Sequence, residues 1–142
     1  LLHSFQHWTG RSLLDVSGSP EKIAQALFEA PFPVFSHGTE LDPIYNYANR
    51  KGLELWEVDW QQLTRMPSRY SAEPMEQKER IRLLDQVTTQ GYVSNGRGIR
   101  ISSTGKRYLV SDFIIWNLLD EPNQLCGQAA TFSQWTPLLA SG

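Results

Sequence analysis

Three histidines, one cysteine and a scatter of carboxylates are the groups in this chain with chemical reach. His3 and His7 stand four residues apart, which on a helix would place both imidazoles on one face as half of a zinc site. Neither an acid between them nor a third ligand follows, so they read as surface or core-edge histidines and no metal is expected. His37 lies close to Glu40 and Asp42, the pattern of an acid–base pair at a strand end. A turn whose side chains satisfy backbone groups explains the same residues without chemistry. Cys126 sits between Leu125 and Gly127 in a predicted strand, outside the Asn-Cys-Arg helical setting of flavin-binding light sensors, and reads as buried filler. The long helix predicted over 75–90 holds no His to serve as an axial haem ligand. Gly96-Arg97-Gly98 falls inside a predicted strand, where a bulge accounts for it better than a phosphate loop. No cofactor is expected and no catalytic residue is assigned.

Binding is the stronger theme. Tyr47, Trp56, Tyr92 and Trp116 are aromatic residues able to line an apolar pocket, and Asn49, Asn95, Asn117 and Gln128 are amides able to orient a ligand within it. Packing in an ordinary core is the plain alternative for the aromatics. Ser68 and Arg69 with Glu73, Arg80 and His37 form a candidate structural polar network near a helix start.

These residues need elements to hold them. Ser19-Pro20 is a helix opening, and the spacing of Ile23, Ala26, Leu27 and Ala30 predicts a helix ending before Pro31. Leu1, Phe5 and Trp8 mark a separate, shorter helix upstream. Strands are predicted at 32–36 and 44–47, followed by short helices around Leu53-Trp56 and after Asp59. The helix over 75–90 carries Ile81, Leu83, Leu84 and Val87, with Glu76 and Arg80 at ion-pair spacing and Gly91 at its end. Beyond it the period becomes strand-like over 92–102, turns at Ser103-Lys106, and continues over 107–119 as a strand covered on both faces. Strict alternation there groups Tyr108, Val110, Ile114 and Trp116 against Leu109, Phe113 and Ile115. Trp116 is expected to face the pocket. Asp120-Asn123 turns the chain into a final strand over 125–132, where Gly127, Ala129 and Ala130 permit a close approach.

The chain has 142 residues, enough for one core, with 13 basic and 15 acidic residues giving a net charge of −2. Its basic residues form no stripe, so no nucleic-acid partner is expected. No apolar run approaches the ~20 residues of a membrane span, and a lone cysteine suits a reducing compartment. A soluble cytoplasmic protein without membrane partners is the expectation.

The order of two strands, short helices ending in a longer one and three hairpin-linked strands resembles a PAS domain. More specifically, Ser36-His37-Gly38-Thr39-Glu40, Asn46-Tyr47-Ala48-Asn49, Leu55-Trp56-Glu57, Pro67-Ser68-Arg69, Ala72-Glu73-Pro74 and Trp116-Asn117-Leu118 with Gly127-Gln128-Ala129-Ala130 resemble the MEKHLA domain. That PAS-related family includes short bacterial proteins and the C-terminal part of plant class III homeodomain-leucine zipper regulators. The resemblance implies an α+β fold: an antiparallel sheet of about five strands, helices on one face, and N-terminal flanking helices. Residues 1–30 would be the helical flank, 31–135 the PAS-like domain and 136–142 a tail. It also implies a non-enzymatic sensory or interaction module, binding a small organic ligand or a signalling protein. The alternatives are a small enzyme using His37 with a nearby carboxylate, or a structural dimerisation module. The stripe of Leu1, Phe5 and Trp8 lies outside the minimal core, and a homodimer formed through it is expected.

Overall fold

Local signals set the helix boundaries. The computed structural model describes residues 1–14, 17–120 and 124–138, and for residues 74–76 the backbone only. Leu2–Thr9 forms α1, and Ser19 caps α2 (Pro20–Phe28) by accepting from the Lys22 N–H. Asn49 caps α3 (Arg50–Trp56), and Asp59 with Gln62 makes the reciprocal capping box of α4 (Trp60–Leu63). A 3-10 turn at Ser68–Ser71 leads into α5 (Pro74–Gln90), which begins on proline and stops at Gly91. The Glu76–Arg80 ion pair and the 121–123 part of the expected turn lie outside the described residues.

Six strands follow the predicted order with one addition. They are β1 (Val34–His37), β2 (Tyr45–Ala48), β3 (Tyr92–Ile101), β4 (Arg107–Leu119), β5 (Leu125–Thr131) and β6 (Gln134–Pro137). All pairings are antiparallel in the order β2-β1-β5-β4-β3. The added strand, β6, runs beside Tyr108–Ser111 of β4, while β5 runs beside Ile114–Leu119 of the same strand. Together they cover one edge of β4 in two consecutive pieces.

The sheet separates two apolar layers. On one face Phe35, Tyr45, Tyr108, Val110, Phe113 and Ile115 pack against Leu55 and Trp56 of α3, Leu63 of α4 and Val87 of α5. On the other, α1 lies across β4, with Phe5 buried edge-on against Trp116 at a centroid distance of 4.9 Å. The Trp8 indole donates to the Asn117 carbonyl at 2.9 Å, Trp116 donates to the Leu1 carbonyl at 3.3 Å, and the Leu119 N–H donates to Ser4 Oγ at 2.9 Å. Gly91 has φ 100, and a Cβ there would stand 2.3 Å from the Trp8 ring. The stripe of Leu1, Phe5 and Trp8 therefore covers the chain's own sheet. Phe5 is buried in this contact and Leu1 and Trp8 are half-buried, so much of the stripe expected to form a dimer contact is spent within the chain.

Three expectations change in detail. Along β4, Tyr108 and Val110 share the helix-side core with Phe113 and Ile115, not the face of Ile114 and Trp116. The cause is a bulge: Asp112 has φ 56, and the β3 pairing steps from Arg97–Ser111 to Gly96–Phe113, leaving Asp112 unmatched. Alternation restarts one residue late beyond it. Cys126 is exposed, since it sits at the start of β5, where its thiol donates to the Leu118 carbonyl. Ile81 of the predicted apolar stripe is 58% exposed, because the inward line of α5 runs through Leu84 and Val87. The Gly96-Arg97-Gly98 segment does hold register shifts, as a bulge requires.

Candidate functional site

A cavity of about 70 Å³ lies between the sheet and the helices. Its apolar wall is built from both layers: Phe35 from β1, Val110, Phe113 and Ile115 from β4, Ala130 from β5, Phe132 beyond it, and Trp56 from α3. Phe35 stacks on Trp56 at 4.6 Å, and the Trp56 indole donates to the Tyr45 hydroxyl at 3.1 Å, so this wall is held rigidly.

Polar groups gather at one end of the same cavity. Arg80 reaches in from α5 and donates to Ser68 Oγ at 2.5 Å. Ser68 is fully buried and pinned by its own N–H to the Pro43 carbonyl at 2.8 Å. His37 closes the end of β1, with Nδ1 2.9 Å from the Gly38 carbonyl. A carbonyl only accepts, so in the neutral ring Nδ1 carries the proton and Nε2 keeps its lone pair. Gln128 is tied by its amide N–H₂ to Thr88 Oγ1 at 3.0 Å and Asn117 Oδ1 at 3.1 Å, which joins β5, β4 and α5. A Cβ on Gly127 would stand 2.4 Å from the His37 carbonyl, so this glycine lets β1 close against β5 beside the site.

Outside this polar end runs a groove of about 360 Å³, between the loop Gly38–Pro43 and α5. His37, Arg80, Leu84 and Gln128 line both the cavity and the groove. They form the partition between interior and surface.

Comparison with known proteins assigns the lineage. The MEKHLA domain family matches residues 1–137, nearly the whole chain. The chain belongs to the MEKHLA domain family. Among curated proteins none matches it. Several solved structures resemble this MEKHLA domain. The PAS domain of a protein from Colwellia psychrerythraea has a TM-score of 0.69 at 13% identity, covering 83% of this chain and 95% of that one. A light-oxygen-voltage domain studied with a flavin analogue gives 0.64 at 12% identity, covering 83% and 85%. The light-oxygen-voltage domain of the blue-light photoreceptor Aureochrome1, in its dark form, gives 0.57 at 20% identity, covering 87% and 88%. At such identities the likeness establishes the PAS-type fold, α+β with its antiparallel sheet.

Within the MEKHLA domain the sequence-predicted residues fall into separate places. Trp56 and Gln128 line the cavity, as do His37, Ser68 and Arg80 of the polar network. Trp116 does not: it is fully buried on the opposite face against Phe5, because strand alternation puts it across the sheet from Ile115. Tyr92 packs in that same outer cluster. Asn49 has no free hydrogen-bonding group to offer a ligand. Its Oδ1 accepts from the Val34 and Gly52 N–H groups, and its Nδ2 donates to the Leu27 and Phe32 carbonyls. Tyr47 stands edge-on to Trp60 at 6.0 Å on the far edge of the sheet, and Asn95, with φ 58, is exposed at the β3 bulge. Arg69 pairs with Asp42 at 3.1 Å and Glu73 with Arg107 at 2.5 Å, which splits the expected network. Sequence reasoning missed the aromatic half of the site, Phe35, Phe113 and Phe132. Two of the three were legible as alternating strand residues, but only the bulge fixes which way Phe113 points.

His37 makes the stability of this domain depend on pH. Burial, aided by the nearby Arg80 charge, lowers its pKa from the ordinary value near 6.5, against the opposing pull of the Gly38 carbonyl and Glu40. Below about pH 6.5 the unfolded chain takes up a proton at this ring that the folded chain refuses. Stability is therefore full above that value and falls as pH drops toward the lowered folded pKa. Thermal unfolding followed from pH 7.5 to 5.5 should show a falling Tm, and His37→Asn should flatten the curve. An identical slope in the variant would contradict this placement of His37.

Proposed function

We propose that this MEKHLA domain is a non-enzymatic sensory module that binds a small organic molecule between its sheet and helices and passes the bound state to its flanks. The observation that carries this reading is a small cavity with an aromatic wall on which the polar groups of His37, Ser68, Arg80 and Gln128 converge. Apolar pockets with a few convergent polar groups are the common form of small-molecule sites. Residues 31–135 would form the binding unit. The flank 1–30 would carry the output, since α1 lies directly behind β4. A reducing, cytoplasmic setting accords with an exposed, unpaired Cys126. Homodimerisation, if it serves the output, would use surface other than the covered stripe of α1.

The enzyme alternative finds less support. His37 Nδ1 is engaged by the Gly38 carbonyl, while Asp42 is occupied by Arg69. A flavin of the kind named for one structural neighbour does not suit these residues either. The cavity is about half the ~150 Å³ that admits benzene, and Cys126 is not part of its lining.

Two measurements test the reading. Native mass spectrometry of the purified chain under gentle ionisation should reveal a retained small molecule, whereas a bare dimer would favour a purely structural role. Ala130→Leu, which fills the cavity from β5, should raise Tm slightly and abolish any ligand-induced thermal shift. A full ligand response in that variant would place the site elsewhere.

A further inference from the structure

Arg80 is the unusual group in this molecule. It reaches from α5, half-buried, to the wall shared by cavity and groove, and among the described residues it donates to a neutral hydroxyl, Ser68 Oγ. Among the described residues no carboxylate lies within ion-pairing distance of it: Asp42 is held by Arg69 and Glu73 by Arg107. A guanidinium has five N–H donors and retains its charge, and a single hydroxyl does not use them up. No buried side-chain nitrogen among the described residues lacks a partner, so donors of Arg80 not spent on Ser68 are within reach of the open space of the cavity and groove. Among the described residues that line the cavity, none is Asp or Glu. Ser68 accepts from Arg80, which leaves its own hydroxyl proton to donate, and no described residue accepts it.

We infer that the molecule bound here is a short-chain monocarboxylate, its carboxylate seated on Arg80 and Ser68 and its hydrocarbon tail among Phe35, Trp56, Phe113 and Phe132. This rests on the reading of the cavity as a ligand site and deepens it. Guanidinium and carboxylate match in shape, and two N–H groups of Arg80 present a fork for the two oxygens. Size sets the tail: 70 Å³ has room for about five water-sized groups, which suits a few methylenes and excludes a ring system. The acidic groups of the adjoining groove, Glu40, Asp42 and Asp85, disfavour a second negative charge and so limit the ligand to one. A phosphate would also lack partners, since the lining holds no Lys and its other guanidinium, Arg100, is engaged with the Ile99 carbonyl and faces the Phe113 ring. The groove itself gives the route inward, past His37, Leu84 and Gln128.

The test uses the full chain and sodium salts from acetate to hexanoate at up to about tens of millimolar, the range for a small, weak ligand. Butyramide serves as the neutral isostere, and sodium chloride matches ionic strength. Calorimetric titration and thermal shift should show saturable binding of butyrate or a near homologue and none of butyramide. Arg80→Gln should weaken that binding by at least about tenfold. Arg82→Gln, an exposed arginine on the same helix, should leave it unchanged. Should Arg80→Gln fail to unfold cooperatively, Arg80→Lys and Ser68→Ala take its place, each expected to bind butyrate several-fold more weakly. Equal binding of butyramide, or undiminished butyrate binding in the Arg80 and Ser68 variants, overturns the carboxylate. If the neutral compound binds and Ala130→Leu blocks it, the cavity reading survives that loss. If neither class binds the wild-type chain, both readings fall together.

Discussion

Trp116→Ala is expected to lower the unfolding free energy by about 3–5 kcal/mol, the range for removing a fully buried tryptophan. The indole fills the layer between β4 and α1, and its loss removes the ring against which Phe5 packs edge-on. It also removes the hydrogen bond to the Leu1 carbonyl, one of three that anchor α1 to the sheet. The helix should therefore loosen before the rest of the domain unfolds. Hydrogen exchange of α1 amides, compared with those of β4, reads this directly. Trp116→Phe keeps most of the packing and should cost only about 1–2 kcal/mol, from the lost hydrogen bond and a smaller ring. A variant whose α1 exchanges as slowly as the wild type would show that other contacts hold the helix.

The second large effect belongs to Asn49. Its side chain satisfies four backbone groups drawn from α2, the segment before β1, β1 itself and α3. It has no solvent exposure. Asn49→Ala leaves those N–H and carbonyl groups buried without their partner, at about 1–3 kcal/mol for each that water fails to reach. A total loss above about 3 kcal/mol is expected in chemical denaturation. Asn49→Asp separates the two halves of the role, since a carboxylate keeps the acceptor for Val34 and Gly52 but repels the Leu27 and Phe32 carbonyls. It should be nearly as damaging. If Asn49→Ala were almost neutral, ordered water would have to replace the amide completely.

What could be read in advance followed from how local the determining physics is. The caps at Ser19 and Asp59, the stop at Gly91 and the span of β4 all depend on neighbours in sequence, and each was legible there. The faces of β4 were not, because one residue, Asp112, adopts a left-handed conformation that no sequence pattern marks, and it shifts Tyr108 and Val110 to the other side. Asn49 looked like a group available for a ligand, since its four partners lie on separate segments and meet only in the folded chain. Strand β6 escaped notice because Gln134–Pro137 carries no apolar alternation and ends on proline; its register comes from β4. In the site, Ser68 and Arg80 meet as grouped, whereas Arg69 and Glu73 face other partners. Long-range ion pairs are set by where helices come to rest, and charge spacing along the chain does not encode that.

The position of β5 bears on how this chain comes into being. It occupies the middle of the sheet yet follows four of the sheet's other strands in the chain. Without Leu125–Thr131 the two ribbons, β1 with β2 and β3 with β4, share no strand pairing among the described residues. Each ribbon then offers an unpaired inner edge, and the Phe35–Trp56 layer has no Phe132 to close it. Such edges are templates for pairing with the wrong strand. The completed sheet thus requires the chain through Thr131. A chain ending short of Leu125 is expected to aggregate and to be cleaved more readily than the full domain.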